Sequence, residues 1–157
     1  MGTHSRGARS GWRHAVVAAA VIGLGGLATV GTASAGPDIV EGTPCTSVAR
    51  ACVDLDAKLA WLIEDGAVVR GPLPISSGGP ERETPRGDFR VEWKHKDHRS
   101  AEFDGAPMPF SVFFAEGGIA FHEGNLHTNS AGCVRMVYED AAAFYDFLQI
   151  DDRVEVR

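Results

Sequence analysis

The chain has 157 residues, of which 44% are hydrophobic, and this composition is typical of one folded domain rather than of a disordered chain. It contains 15 Lys and Arg against 21 Asp and Glu, so its formal charge at pH 7 is −6. This acidic balance disfavours nucleic acid or an anionic membrane as the main partner, because both are negatively charged.

The first 35 residues have the three-part pattern of a secretory signal peptide. Three arginines and no acid occupy residues 1–14, an apolar segment follows at 15–30, and Ala33-Ser34-Ala35 offers small residues for cleavage. The apolar segment is shorter than the roughly 20 residues that cross a bilayer, which disfavours a stable membrane anchor. We therefore expect cleavage after residue 35 and export of the remainder.

Export would change both the charge and the redox environment of the chain. Residues 36–157 carry 12 basic and 21 acidic side chains, hence a charge of −9. Disulfides persist outside the cytosol, and three cysteines leave one thiol over. Cys45 and Cys52 could close a short loop, one of them could pair with Cys133, or Cys133 could be a buried structural thiol. Cysteine counting does not choose among these arrangements.

Short strand patterns follow a Gly-, Pro- and Thr-rich lead-in at residues 36–50. An Asp-Gly turn predicts a hairpin of strands 58–63 and 67–70. Pro72 and Pro74 make 69–76 an edge or irregular strand, because proline donates no backbone hydrogen bond. Alternating apolar residues predict a strand at 88–93, and short apolar runs predict strands at 110–114, 118–121 and 154–156. The polar stretch at 94–104 is predicted to be a loop.

A single helix pattern covers residues 139–148, where the apolar residues Ala141, Phe144, Tyr145 and Leu148 share one face. Trp61 and Trp93 lie in strand patterns and are predicted to be core aromatics. The predicted fold class is α+β and β-rich, with two packed mixed sheets in a sandwich-like arrangement and one edge helix. Residues 51–157 form the single predicted domain.

Residues 121–136 hold the residue types that indicate chemistry. A cysteine nucleophile needs a base, donors for an oxyanion and access for the substrate. His122 lies 11 residues before Cys133, and a neighbouring imidazole can lower the pKa of a thiol. Gly132 would allow the N–H groups of Gly132 and Cys133 to point at a reacting carbonyl.

Zinc binding is the competing use of the same side chains. His127 follows His122 at i+5, whereas a zinc-protease helix requires the second histidine at i+4. His122, His127 and Cys133 could still bind zinc from a loop. We predict no metal at this site.

Several separate motifs, in the same order, resemble the L,D-transpeptidase catalytic domain of YkuD type, in its short secreted actinobacterial branch. Residues 130–135 (SAGCVR), with the upstream His122, resemble the family's catalytic signature. Residues 83–89 (ETPRGDF) are similar to its Thr-Pro-x-Gly-x-Phe motif. Further similar segments are 97–100, 106–114 and 118–124. The resemblance covers residues 51–157.

The resemblance implies acyl transfer on peptidoglycan without a cofactor. Cys133 would attack the peptide bond before the terminal D-residue of a tetrapeptide stem, and an amine of a second stem would resolve the acyl-thioester into a 3→3 cross-link. His122 would act as base, oriented by the backbone carbonyl of Glu123. Gly132 and Cys133 would form the oxyanion hole. Water as acceptor would give a side activity as an L,D-carboxypeptidase.

The implied partners are peptidoglycan stem peptides, with a carbapenem as covalent inhibitor, and the implied state is a monomer that is secreted, extracellular or associated with the cell wall. The implied substrate-binding residues are Arg135, Ser130, His127 and Arg99, and the two arginines are candidates to bind a carboxylate. Many members have His where Ala131 stands, which puts rate and substrate positioning in doubt. His127 could stand in for it.

Two other classes remain open. A non-catalytic peptidoglycan-binding module of the same fold would be compatible with Ala131. A sortase-like cysteine transpeptidase is also secreted and β-rich, but sortases carry Thr-Leu-x-Thr-Cys at the nucleophile, where this chain has Ser-Ala-Gly-Cys.

Overall fold

The computed structural model describes residues 36–157, so the predicted signal peptide at 1–35 lies outside the described residues. Within them it contains nine strands and one helix. In chain order the elements are β1 (Ala51–Asp54), β2 (Leu59–Glu64), β3 (Ala67–Pro74), β4 (Gly87–Arg90), β5 (Trp93–Arg99), β6 (Pro107–Ala115), β7 (Ile119–Glu123), β8 (Val134–Met136), α1 (Tyr138–Phe147) and β9 (Arg153–Val156). In this part of the chain no helix is long and apolar enough to cross a membrane.

The strands form two mixed sheets. The first sheet has the order β3-β2-β1-β9-β4, in which β1 and β9 run parallel and the other pairs are antiparallel. The second sheet has the order β5-β6-β7-β8, in which β7 and β8 run parallel. The predicted fold class, α+β and β-rich with two mixed sheets and one helix, is confirmed.

Side-chain alternation in the first sheet separates two apolar clusters. Ala51 and Val53 of β1 contribute to the main core between the sheets, whereas Cys52 points to the opposite face. On that outer face Cys52 packs with Trp61 and with the lead-in, and its sulfur is bonded to Cys45. The Cys45–Cys52 pair is thus the one that forms, and Cys133 is a free thiol.

The helix covers the core face of the second sheet. The Phe144 ring lies 5.0 Å from the Phe121 ring of β7, and Ala141 and Leu148 are fully buried beside them. Arg70 of β3 bonds Asp140 in the first helical turn at 2.6 Å, which ties the helix to the edge of the first sheet. The predicted helix is confirmed, one residue earlier than its predicted bounds.

The segment predicted as one strand at 88–93 instead changes sheets. Residues 87–90 pair with β9 in the first sheet, and Trp93 begins β5 in the second. The polar loop predicted at 94–104 is wrong in its first half, because residues 94–99 pair with β6 as an edge strand. An edge strand of this kind is held by backbone hydrogen bonds to β6, and its side chains are mostly polar and exposed. Its sequence therefore lacks the alternation of apolar residues from which a strand would be predicted.

The two tryptophans also differ in their surroundings. Trp61 is 5% exposed in the outer cluster of the first sheet, as predicted for a core aromatic. Trp93 is 43% exposed, so that prediction was wrong. Its ring stacks on Phe113 at 3.7 Å on the outer face of the second sheet, where the site described next is located.

Candidate functional site

The parallel pair β7–β8 forms the floor of the site. His122 is in register with Arg135, and Cys133 comes directly before β8. Phe121 and Val134 are fully buried in the main core, so the alternating residues His122, Cys133 and Arg135 face the other side of the sheet. They open into a cleft of about 940 Å³.

An aromatic wall borders this cleft on the side of β5 and β6. Trp93 and Phe113 are stacked with an interplanar angle of 5°, and the His98 ring meets both edge-on at 5.4 and 5.0 Å. Met108 and Ala120 complete the apolar surface, against which Cys133 packs. The cleft therefore has an apolar shelf directly beside the thiol.

A salt-bridged pair of loops borders another part of the cleft. Arg82, which follows β3, lies 3.1 Å from the Glu102 carboxylate, and its guanidinium is 5.7 Å from the centre of the Phe103 ring. All three residues line the cleft. Both charged partners are more than half exposed, so this contact adds little to stability.

His122 is held as a neutral imidazole with a fixed tautomer. Its Nδ1 lies 2.6 Å from the Glu123 carbonyl oxygen. Because a carbonyl only accepts hydrogen bonds, Nδ1 carries the hydrogen and the lone pair is left on Nε2. The residue is 6% exposed, and this burial, assisted by the charges of Arg135 and His98, lowers the pKa of His122 to about 4, although the Glu123 carbonyl opposes the shift.

Cys133 is half-buried, with its Sγ 3.6 Å from the Gly118 carbonyl oxygen. Burial raises the pKa of the thiol above its ordinary value, and the charge of Glu102 adds to the rise. The Ala120 N–H and the charge of Arg135 act in the opposite direction without cancelling it. Together, the lowered pKa of His122 and the raised pKa of Cys133 favour a thiol and a neutral imidazole over a thiolate and an imidazolium at neutral pH.

The turn before Cys133 is closed by its own hydrogen bonds. Ser130 Oγ donates to the Cys133 carbonyl at 2.5 Å and accepts from the Gly132 N–H at 3.1 Å. Gly132 has a φ of 116°, a conformation that glycine tolerates and L side chains rarely adopt, and a Cβ there would collide with Ile119 Cδ1. The Gly132 N–H is thus already engaged, and these hydrogen bonds leave the Cys133 N–H for an incoming oxyanion.

Comparison with known proteins identifies the family. The model of the L,D-transpeptidase catalytic domain matches residues 49–156, which is more than half of the chain. The chain belongs to the L,D-transpeptidase family. No curated protein sequence is significantly similar to it.

Solved L,D-transpeptidase structures share the fold. The enzyme from Xylanimonas cellulosilytica is 30% identical, with a TM-score of 0.65 over 73% of this chain and 63% of that one. The enzyme from Stackebrandtia nassauensis is 26% identical, with a TM-score of 0.64 over 68% of this chain and 54% of that one. An L,D-transpeptidase in complex with imipenem is 22% identical, with a TM-score of 0.61 over 68% and 57%. This chain spans less than two thirds of the length of these relatives.

The site residues predicted from the sequence fall into two groups. Cys133, His122, Glu123, Ser130 and Arg135 all line the cleft. Gly132, Arg99 and His127 do not.

Arg99 and His127 lie outside that lining. Arg99 is exposed and donates to the Gly105 carbonyl, while the backbone N–H of the exposed His127 donates to Asn125 Oδ1. Among residues 36–157 no three His, Cys, Asp or Glu side chains are grouped to hold a metal ion, so His122, His127 and Cys133 do not form the zinc site considered above.

Sequence reasoning missed several residues in and around the cleft. Trp93 was assigned to the core, and Phe113 was placed in a strand without a face. Thr84, whose hydroxyl donates to the Gly132 carbonyl at 2.7 Å, was noted only as part of a motif. The sequence carried no signal for the pairing of Trp93 with Phe113, because the register of β6 against β5 and β7 is set only in the folded sheet.

Proposed function

We propose that this L,D-transpeptidase is a secreted enzyme that uses Cys133 as nucleophile and His122 as base to form 3→3 cross-links between peptidoglycan tetrapeptide stems. One observation carries the proposal. A free thiol and an imidazole with its lone pair on Nε2 lie on the same face of the β7–β8 pair, at the floor of an open cleft. This is the arrangement that acyl transfer through a thioester requires.

The first step transfers the acyl group of the donor stem to the enzyme. Cys133 Sγ forms a bond to the carbonyl carbon, and His122 Nε2 takes the thiol proton as the bond forms. The amide C–N bond then breaks, and His122 returns the proton to the departing D-amino acid. Because both groups are neutral at rest, the base accepts the proton during attack rather than before it.

The second step releases the acyl group to an acceptor. The nitrogen of an amine on a neighbouring stem bonds to the thioester carbon, and His122 Nε2 takes a proton from that nitrogen. The C–S bond then breaks, and His122 returns the proton to the sulfur, which restores the Cys133 thiol. Water in place of the amine would complete an L,D-carboxypeptidase reaction from the same acyl-enzyme. The stem-peptide substrate is supported by the family of the chain and by the size of the cleft.

Arg135 supports recognition of a carboxylate on the stem. Its Nη1 is 3.4 Å from both Thr128 Oγ1 and the Asn129 carbonyl, which are long hydrogen bonds, and it has no salt bridge within the described residues. A Cβ on Gly124 would lie 2.8 Å from Arg135 Cδ, so this glycine leaves room for the aliphatic part of the arginine side chain. A guanidinium held in this way can bind a carboxylate with two hydrogen bonds.

Two features support export. The signal-like segment precedes residue 36, and the disulfide between Cys45 and Cys52 is typical of an oxidising compartment. We expect the exported protein to begin at residue 36. The mass of the protein recovered from the medium or wall of an expressing bacterium checks this expectation.

The test of the enzyme proposal is intact mass after incubation with a carbapenem. An L,D-transpeptidase of the same fold is known in complex with imipenem, which makes this drug a suitable probe. We expect a stoichiometric adduct on the wild type and none on Cys133→Ala. A tetrapeptide stem with an acceptor stem should then yield a 3→3 dimer. Failure of both reactions would favour a binding module that keeps the fold without turnover.

A further inference from the structure

The peptide unit between Gly132 and Cys133 links two groups that the proposed reaction treats separately. It carries the Gly132 carbonyl and the Cys133 N–H, which point in opposite directions because the unit is planar and trans. A contact that fixes the carbonyl therefore fixes the N–H as well. Since Ser130 Oγ already accepts the Gly132 N–H, the Cys133 N–H is the donor that the turn leaves for the oxyanion.

The contact on that carbonyl comes from Thr84, 48 residues earlier in the chain. Its Oγ1 donates to the Gly132 oxygen at 2.7 Å, and the side chain is 3% exposed. Thr84 Oγ1 in turn accepts a hydrogen bond from the Gly78 N–H at 3.0 Å. A hydroxyl has a single hydrogen. Because the Gly78 N–H supplies the hydrogen of its own bond to Thr84 Oγ1, the hydroxyl hydrogen of Thr84 is used in the bond to the Gly132 carbonyl.

The segment that carries Thr84 is itself anchored to the site. Ser76 exchanges two backbone hydrogen bonds with Arg135, at 2.9 and 3.0 Å. Gly78 is paired with Ser130 in the manner of adjacent parallel strands. Gly78 has no room for a side chain, because a Cβ would collide with the Arg82 carbonyl. The segment is thus fixed against both sides of the nucleophile turn, so the threonine hydroxyl has a defined position relative to Cys133.

We propose that Thr84 is a positioning residue of this enzyme, which aims the Cys133 N–H at the oxyanion by holding the Gly132 carbonyl. This inference rests on the proposed function of Cys133. In this role Thr84 differs from residues that only pack in the core. The methyl group of Thr84 is part of the buried surface, but its hydroxyl holds the peptide unit whose N–H would bind the oxyanion in the transition state.

The test compares two reactions of the same thiol in Thr84→Val, which keeps the shape of the side chain and removes the hydroxyl. Acylation by a carbapenem passes through an oxyanion, whereas alkylation by iodoacetamide does not. We expect the acylation rate to fall at least about tenfold, because a misaimed oxyanion donor loses much of its effect. The alkylation rate should stay within about twofold of wild type, and Thr84→Ser should restore acylation.

Thr43→Val is the matched control. Its hydroxyl also donates to a backbone carbonyl, that of Val40, but it lies in the lead-in on the outer face of the first sheet. It should change neither rate. Equal loss of both reactions in Thr84→Val, or unchanged acylation, would overturn the inference while leaving Cys133 as nucleophile. If the wild type itself is not acylated, the proposed function fails, and the role of Thr84 fails with it.

Discussion

The protonation state of the Cys133–His122 pair gives a quantitative prediction. The pKa of His122 is about 4, and that of the thiol lies above its ordinary value near 8.5. The two pKa values therefore differ by more than about four units, so the neutral pair is favoured over thiolate and imidazolium by at least about 5 kcal/mol before the attraction between the two charges is counted. At pH 7 less than about 3% of the thiol should be ionised.

Two assays on the same protein should then give different pH profiles. Iodoacetamide reacts with the thiolate, so alkylation should accelerate about tenfold per pH unit between pH 6 and 8. Carbapenem acylation uses the neutral pair, with His122 accepting the proton during attack. Its rate should therefore stay nearly constant between about pH 5 and 8 and decline only as the imidazole becomes protonated near pH 4.

Substitution of the base separates the two reactions further. In His122→Ala, acylation should fall by about 10²–10⁴, the usual contribution of a positioned base, while alkylation at pH 8 should change little. Cys133→Ala gives the background for both assays. Constant alkylation from pH 5 to 8 would show a preformed ion pair and would refute the reasoning from burial.

Three variants and one pH series test other parts of the structure. Gly132→Ala should lose about 1–3 kcal/mol of unfolding free energy and most acylation, because alanine is strained at a φ of 116° and its Cβ would meet Ile119; unchanged urea unfolding would contradict this. Replacing Cys45 and Cys52 together by serine opens a loop with a sequence separation of 7, which should lower stability by about 2–3 kcal/mol in urea and leave acylation unchanged. Glu155→Gln should cost about 3 kcal/mol, since the fully buried carboxylate bonds two arginines. Burial opposes ionisation of Glu155, but its hydrogen bonds and the arginine charges hold the pKa below the ordinary value, so this stabilisation is present above about pH 4.3 and is lost as the pH falls further; thermal melts of both proteins should converge there.

Local sequence patterns predicted much of the first sheet and the helix. The Asp-Gly turn marks the β2–β3 hairpin, and two prolines restrict β3 to a sheet edge, where it is found. Patterns failed where pairing partners decide the structure. The strand at Ala51–Asp54 has only four residues, one of them a cysteine, and no strand was predicted there. The strand at Trp93–Arg99 was predicted in most of its length to be a loop, because it is polar as an edge strand of the second sheet.

The candidate site divides in the same way. Two pairs of site residues are adjacent in the chain, and the motif was enough to predict them: His122 with Glu123, and Gly132 with Cys133. Arg99 was also predicted to bind substrate, but β5 carries it away from the cleft lining. The stacked pair of Trp93 and Phe113 could not be found from the sequence, because residues 20 positions apart meet only through the register of β5 against β6.

The amino-acid sequence by itself predicted the residues of the proposed nucleophile turn, the proposed base and its orienting carbonyl, since these depend on residue type and on neighbours in the chain. Only the tertiary structure decided which cysteines are bonded, that burial raises the pKa of the thiol and lowers that of the imidazole, and that Thr84 donates to the Gly132 carbonyl. These properties depend on burial and on contacts between distant segments. Burial sets the pKa values by removing water from charged groups, and segment contacts exist only once both sheets have closed around the core.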